Sequence, residues 1–481
     1  MAEVGQTDGE ARANLKRQVA DTLRAQIESG VYRPGDKLPS IRELGRSLKI
    51  SVTTVIGAYA ILEIDGLIVV HRQSGIYVRL RRTPAGSPIR SNPPATPVLM
   101  MLREDMEVFI RPEVKPRPYW LSSGAPNADL LPTKSMNAVI KKVAVQFGDV
   151  HMHYSEPRGA LELREQIAQQ AMIKGCVLDP QELVITNGCT EALMIALRIV
   201  AAPGDIVAVE SPGYPGLLNA LKSQNLRILE VPSFLDDGMD ISVLEALLQE
   251  HPIAAVFATP NFGNPLGSLM PLASRQRLVE ILAEREIPLI EDDIYSDLSY
   301  DQRPVPPCKS FDRKGLVLHC SSFSKSLSPG LRVGWMAAGR FVGSALTCKV
   351  ASTYCTSLLS QTIIGEFLRE HRYSLVVAKA AAAYRKNVGS MVACVKRNFP
   401  AGSVVTEPSG GFLVWIQMPE GIESRHLLEL SLNEGISFDP GYKYSAHALY
   451  CNRQEHRCHR GGCRTQSRFD GGRPSHCLGR R

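Results

Sequence analysis

The sequence predicts an α/β protein, a mostly parallel sheet with a small helical unit placed before it. Three observations carry that prediction. From about residue 119 to 450, near-continuous apolar runs (LVITNG, IVAVESPG, AAVFATPN, PLIEDD and LVLHCSSFSK) alternate with longer helical segments. Each run ends in small or polar residues, the pattern of strands buried on both faces with ligands gathering at their carboxyl ends. Three short amphipathic helices and a hairpin pattern fill residues 14–79. Between the two lies a stretch, residues 81–118, holding eight of the 32 prolines. At 481 residues the chain is long enough for two or three domains.

The helical unit is read element by element. Leu15, Val19, Leu23 and Ile27 fall at i, i+4, i+8 and i+12, one apolar stripe closed by Ser-Gly. Ser40 and Glu43 form a capping box that opens a second helix with Ile41, Leu44 and Leu48 on its apolar face. In a third helix Val52, Val55, Tyr59 and Leu62 make the stripe expected to be buried, with Thr53, Thr54 and Gly57 opposite. GLIVVHRQSGIYVRL then reads as a hairpin. Three helices and a hairpin make a winged helix-turn-helix, and with GVYRPGDKLPSIRELGRSLKIS the unit closely resembles the GntR-type DNA-binding domain. The resemblance implies double-stranded DNA as partner, the third helix in the major groove and the wing at the backbone or minor groove. Arg42, Ser51, Thr53, Thr54 and Gly75 are the contact residues it offers. Val52 and Ile56 stand where sequence-reading members carry arginine, so fewer guanidinium-to-guanine contacts are expected.

Charge agrees with a polyanion partner. Residues 1–90 carry 14 Lys and Arg against 9 Asp and Glu, although the chain between 91 and 450 is net acidic. No apolar run approaches the ~18 residues that would span a bilayer. The amino-terminal MAEVGQTDGEARAN is polar and acidic, which argues against an export signal and for a cytoplasmic protein with no membrane partner. The cysteines at 176, 189, 308, 320, 348, 355 and 394 are scattered singly and read as reduced, mostly buried thiols. The proline-rich stretch 81–118 reads as an extended, semi-rigid linker unfit for a sheet core, interrupted by a short helix around Met100–Phe109.

The strand ends hold the chemistry. In LHCSSFSKSLSPGLRVGW, Lys325 is the one amine, flanked by Ser322 and Ser324 and followed by Arg332. A lysine nucleophile with hydroxyls and a guanidinium for a phosphate is the layout of a pyridoxal 5′-phosphate Schiff base. SFSKSLSPGLRVGW resembles the lysine motif of fold-type I aminotransferases. That resemblance implies that Lys325 binds the cofactor covalently while Ser322, Ser324 and Arg332 hold its phosphate. It further implies that Gly188, Cys189 and Thr190 of TNGCTEAL meet the phosphate at a helix N-terminus. Asp292 and Tyr295 of EDDIYSDL would pair with the pyridine nitrogen and the phenolate oxygen. Asn264 of NFGNPLGS would bond the same oxygen, and Tyr214 of SPGYPG would stack on the ring. In MHYSEPRGALELREQI, Tyr154 would cross a dimer interface to the neighbour's phosphate, and Gly124 of LSSGAPNADLLP would lie in the substrate entry loop. Lys325, Asp292 and Tyr295 are the candidate catalytic groups.

A winged helix joined through a proline-rich linker to an aminotransferase-like domain is similar to the MocR subfamily of GntR regulators. The expected division is a winged helix at 10–80, a linker at 81–118, a pyridoxal-phosphate domain at 119–450 with a smaller α+β portion from about 375, and a tail at 451–481. The implied function is a homodimeric, DNA-binding regulator that senses an amino acid, an amine or the cofactor itself; the alternative is a working aminotransferase. The end of the chain departs from the family. After ALYCN the sequence has eight arginines and a single leucine, with none of the expected R-[LI]-N setting for a substrate carboxylate; Arg453 is the only nearby candidate. The cysteines and histidines there match no C-x₂-C pairing, so a disordered basic tail is expected and no metal.

Overall fold

The computed structural model describes residues 8–28, 31–32, 36–64, 67–71, 75–78, 89–100, 119–121, 124–302, 304–370 and 373–447. The amino-terminal unit comprises α1 (Asp8–Glu28), α2 (Ile41–Leu48), α3 (Val52–Ile64) and the antiparallel pair β1 (Ile68–His71) and β2 (Gly75–Val78). The capping box forms as expected. Ser40 Oγ accepts from the Glu43 amide at 3.3 Å, and the Glu43 carboxylate accepts from the Ser40 amide at 2.8 Å. Val19, Leu23, Leu38, Leu44, Val55, Tyr59, Leu62, Ile68 and Ile76 close one core.

Helix α3 buries Val55, Tyr59 and Leu62 as expected, and departs from the expected face in its first turn. Val52 is 49% exposed, whereas Thr54 is only 5% exposed. The buried stripe is Thr54, Val55, Ala58, Tyr59 and Leu62. The cause is local: Ser51 Oγ accepts from the Thr54 amide at 3.1 Å and bonds its hydroxyl at 2.7 Å, so Thr54 serves the helix start and faces inward. Gly57 also lies inward, against the stem of Lys16.

The large sheet follows. Its strands are β3 (Val98–Leu99), β5 (Leu183–Thr186), β6 (Ile206–Ser211), β7 (Arg227–Phe234), β8 (Gly238–Met239), β9 (Ile253–Ala258), β10 (Leu289–Asp292), β11 (Val317–Ser322) and β12 (Gly334–Ala337); β4 (Tyr119–Trp120) lies elsewhere. The order is β3-β7-β6-β9-β10-β11-β12-β5, with β8 on β7. From β7 to β11 all neighbours are parallel; β12 is antiparallel to both β11 and β5. Helices α4 (Thr133–Gln146), α5 (Leu161–Ile173), α6 (Cys189–Val200), α7 (Pro215–Ser223), α8 (Ile241–Glu250), α9 (Leu272–Glu284), α10 (Val342–Ser352) and α11 (Leu358–Glu370) complete this part. Separate apolar clusters lie against the sheet, one centred on α6 and α7, one on α5 and α11, one on α8 and α9. A smaller α+β part holds α12 (Tyr373–Asn398), β13 (Val404–Val405), β14 (Ile416–Gln417), α13 (Ser424–Asn433) and β15 (Ile436–Ser437), which pairs in parallel with β4.

The proline-rich stretch does more than connect. Val98 and Leu99 pair antiparallel with Ile228 and Arg227 at the sheet edge, and Val98 and Met100 are buried in the α6–α7 cluster. At an edge only one side of the backbone needs partners, so the prolines at 93, 94 and 97 are tolerated just before it. Arg90 ion-pairs with Asp240 at 2.6 Å, and Ser91 Oγ both accepts from the Ser233 amide at 2.9 Å and donates to the Ser211 carbonyl. The reading of this span as unable to enter a sheet therefore fails at 89–100. The expected helix near Met100–Phe109, the wing tip at 72–74 and the Arg/Cys-rich tail fall largely or wholly outside the described residues.

Candidate functional site

The site is assembled at the carboxyl ends of β5, β6, β10 and β11. Strand β11 delivers Ser322 and, in the turn after it, Ser324 and Lys325. The chain then reverses into β12, and the register sets Gly334 between Ser322 and Thr186. A Cβ on Gly334 would lie 2.5 Å from the Gly188 carbonyl carbon and 2.7 Å from the Cys189 amide nitrogen. Glycine at 334 is thus what lets the start of α6 approach the lysine turn. Gly188 precedes α6 with φ +81, and Cys189 and Thr190 are the first residues of that helix. The Gly188 amide donates to the Thr186 carbonyl at 2.9 Å, so the first-turn amides of Cys189 and Thr190, with the helix dipole, are what favour an anion.

Arg332 spans the gap between lysine turn and helix start, donating to the Asn187 carbonyl at 3.2 Å and to Ser324 Oγ at 3.4 Å. Beneath the loop, Glu191 accepts from the Asn187 amide at 2.5 Å and from the fully buried Lys349 at 3.1 Å, which fixes the loop from below.

Lys325 Nζ donates to the Gly124 carbonyl at 2.8 Å and lies 5.8 Å from the Tyr295 ring centroid. Burial pulls its amine below the usual lysine range, against the pull of Asp292 and with the help of Arg332. A larger share is therefore uncharged and nucleophilic. Asp292, at the end of β10, is buried; desolvation raises its carboxyl to about 6 although Cys189 Sγ, at 3.6 Å, and the Ile294 amide, at 3.2 Å, donate to it. Tyr214 and Tyr295 are held up in pKa by burial first and by Asp292 second, Tyr214 to about 12, so both hydroxyls stay protonated donors.

The donor set fits pyridoxal phosphate. Two features call for a ligand: a carboxylate that desolvation disfavours, and a cradle of amides and guanidinium suited to a phosphate. A cationic ring nitrogen and a phosphate meet those two needs, and the Asn264 carboxamide NH2 is the group able to donate to a ring oxygen.

The structure brings together Lys325, Asp292, Tyr295, Tyr214, Ser322, Ser324, Arg332, Gly188, Cys189 and Thr190; of Asn264 it shows only a buried carboxamide oxygen without a hydrogen-bond partner among the described residues. It does not bring Tyr154 to them: that ring is 84% exposed and packs edge-on against Tyr354 at 5.6 Å. In the amino-terminal unit Arg42, Ser51 and Thr53 are exposed, Gly75 opens β2 with φ +125, and Thr54 is withdrawn. A buried charged tier behind the site was missed. Asp293 accepts from His319 at 3.2 Å, Asn261 at 2.6 Å and Ser296 at 2.7 Å. Lys174 pairs with Asp297 at 2.7 Å, and Tyr373 donates to Asp297 at 2.6 Å and to Ser326 at 2.8 Å. Asp293 and Ser326 adjoin Asp292 and Lys325, so the tier braces both from behind. Its signals were the second aspartate of EDDIY and a histidine inside an apolar strand.

Comparison with known proteins agrees with this geometry. The family Aminotransferase class I and II matches residues 118–446, and the family of bacterial regulatory proteins, gntR family, matches residues 15–78. The uncharacterized HTH-type transcriptional regulator YdcR of Escherichia coli is 33% identical over 440 residues, covering 89% of this chain and 92% of that one. YjiR of the same organism, described in the same words, is 32% identical over 91% of this chain and 93% of its own. Among solved structures, LysN, the α-aminoadipate aminotransferase of Thermus thermophilus complexed with N-(5′-phosphopyridoxyl)-L-leucine, superposes with a TM-score of 0.64 at 30% identity, over 68% of this chain and 84% of that one.

Proposed function

The chain belongs to the MocR-type gntR regulators, a GntR helix-turn-helix joined to an aminotransferase class I and II domain whose fold implies pyridoxal phosphate, and from that premise we propose that it is a DNA-binding transcriptional regulator controlled by a small amine-bearing ligand. The ligand class is an amino acid, an amine or the cofactor itself. Residues 10–80 read double-stranded DNA, 81–118 join the two parts, and 119–450 hold the cofactor. The observation that supports the reading is the conjunction in one chain of a helix-turn-helix core and a buried lysine facing Tyr295, Asp292 and Arg332.

Bound pyridoxal phosphate supplies an aldehyde for amines and a ring that withdraws electrons. The chain supplies the rest. Asp292 would offer a desolvated carboxylate to a cationic ring nitrogen, the Tyr295 hydroxyl and the Asn264 NH2 would donate to the ring oxygen, and Tyr214 would stack on the ring. Arg332 and the start of α6 would hold its phosphate, with Ser322 and Ser324 beside them. Exposed apolar groups support the homodimer: Val145, Met152, Tyr154 and Tyr354 need a cover, and a second copy supplies one.

A second reading, transamination, is favoured by the same convergence of Lys325, Asp292 and Tyr295. One experiment separates them. The cofactor-loaded protein is titrated with amino acids and amines while cofactor absorbance and affinity for its own upstream DNA are followed together. The regulator predicts a spectral change without keto-acid release and a shifted DNA affinity. Steady keto-acid release with DNA affinity unmoved establishes the enzyme and refutes the regulator.

A further inference from the structure

The helix-turn-helix unit leaves an apolar face outside its own core. On α3, opposite the buried stripe, Val52, Ile56 and Ala60 recur every four residues with Thr53 beside them; Ile56, like Val52, is about half exposed at 48%. The Thr53 hydroxyl bonds Ser51 Oγ at 2.8 Å, and its methyl completes the stripe. From Val52 to Ile64 the helix holds no Lys, Arg, His, Asn or Gln. Its hydroxyl at Tyr59 is committed to the Pro39 carbonyl at 2.7 Å.

Base edges in the major groove demand different chemistry. Guanine is read by Arg or Lys, adenine by Asn or Gln, cytosine by a carboxylate. Thymine alone presents a methyl group that an aliphatic side chain can cover. The cations stand around α3: Arg42 and Arg46 are exposed on α2, Lys49 occupies the left-handed cap just before α3, and Lys37 lies over the Tyr77 ring of β2. Where such side chains contact phosphates they position the protein and carry no sequence information. The unit is thus charged where the backbone would lie and aliphatic where the bases would.

Resting on the DNA-binding reading above, we propose that α3 reads thymine: Val52, Ile56 and the Thr53 methyl pack against the C5-methyl groups of thymines, and the protein selects sites by methyl position with no guanidinium-to-guanine contact from this helix. The sequence alone predicts only a loss of guanine contacts; the outward first turn of α3 supports what would take their place.

The test uses the full-length protein. Duplexes are selected from a random pool and rebuilt with deoxyuridine for thymidine, a change that removes only the C5 methyl. Each contacted methyl removed is expected to weaken binding about fourfold, and two about tenfold or more. The Val52→Ala, Ile56→Ala double variant is expected to bind both duplexes with equal, weaker affinity and an unchanged salt slope. Equal affinity of the unmodified protein for both duplexes overturns the thymine reading while the DNA reading stands. Loss of dimer in the double variant, with no thymine discrimination before it, assigns the face to a second copy and also overturns it. Absence of salt-sensitive binding to any duplex in the pool refutes the DNA reading itself and this proposal with it.

Discussion

Replacing Asp292 by Asn should stabilise the cofactor-free protein and weaken the loaded one. The carboxyl lies at the end of a central strand, buried, with its folded value raised from 3.8 to about 6 by desolvation. That difference, about two units, corresponds to roughly 3 kcal/mol charged against the ionised form in the empty site. The sign follows from linkage. A carboxyl raised in the folded state destabilises wherever it must ionise, so the penalty is full above about pH 6 and gone below about pH 4. An Asn keeps the oxygen that accepts from Cys189 and the Ile294 amide, so packing is preserved. Thermal or urea unfolding of the cofactor-free variant at pH 7.5 should therefore show a gain of up to about 3 kcal/mol that vanishes by about pH 4. In the loaded protein the carboxylate faces a cationic nitrogen, and removing one member of a buried pair costs about 2–5 kcal/mol, or at least about thirtyfold in cofactor affinity. An Asn variant that destabilises the cofactor-free protein at pH 7.5, or binds pyridoxal phosphate as tightly as the parent, refutes the reasoning.

Three further outcomes follow from the same geometry. Gly334→Ala places a methyl against the Gly188–Cys189 backbone, so a stability loss of about 1–3 kcal/mol and at least tenfold weaker cofactor binding are expected by urea unfolding and absorbance titration. His319→Asn removes a cation whose pKa, despite burial, is driven far above 6.5 by its bond to Asp293; the loss, about 3–5 kcal/mol at pH 6.5 and below, should shrink as the pH rises toward 10. Glu230 lies buried on β7 and accepts from Ser211 at 2.9 Å, from Ser445 at 3.1 Å and from the amides of Ala446 and His447; Glu230→Ala should loosen residues 445–447, seen as faster limited proteolysis there.

Much of this was legible in the sequence because buried parallel strands announce themselves. The five apolar runs became β5, β6, β9, β10 and β11, and their polar ends became the pocket. What escaped were elements whose partners are distant in the chain. Strand β12, GWMA, is only four residues long and gains its place from pairing with both β11 and β5. Val98 and Leu99 sit among prolines and become a strand only because β7 offers an open edge. On α3 the stripe Val55, Tyr59 and Leu62 was legible, but period alone cannot distinguish Val52 outward from Thr54 inward in the first turn; the Ser51 cap decides it. The tier of Asp293, His319, Lys174, Asp297 and Tyr373 draws on four separate segments, so no local motif encodes it.

The amine at position 325 is where all of this is tested most directly. Protein loaded with pyridoxal phosphate, reduced with borohydride and digested should carry the phosphopyridoxyl group on the peptide containing Lys325, and Lys325→Ala should carry none there. A label on Lys174, Lys349 or another lysine with Lys325 unmodified, or no label at all, would contradict the account.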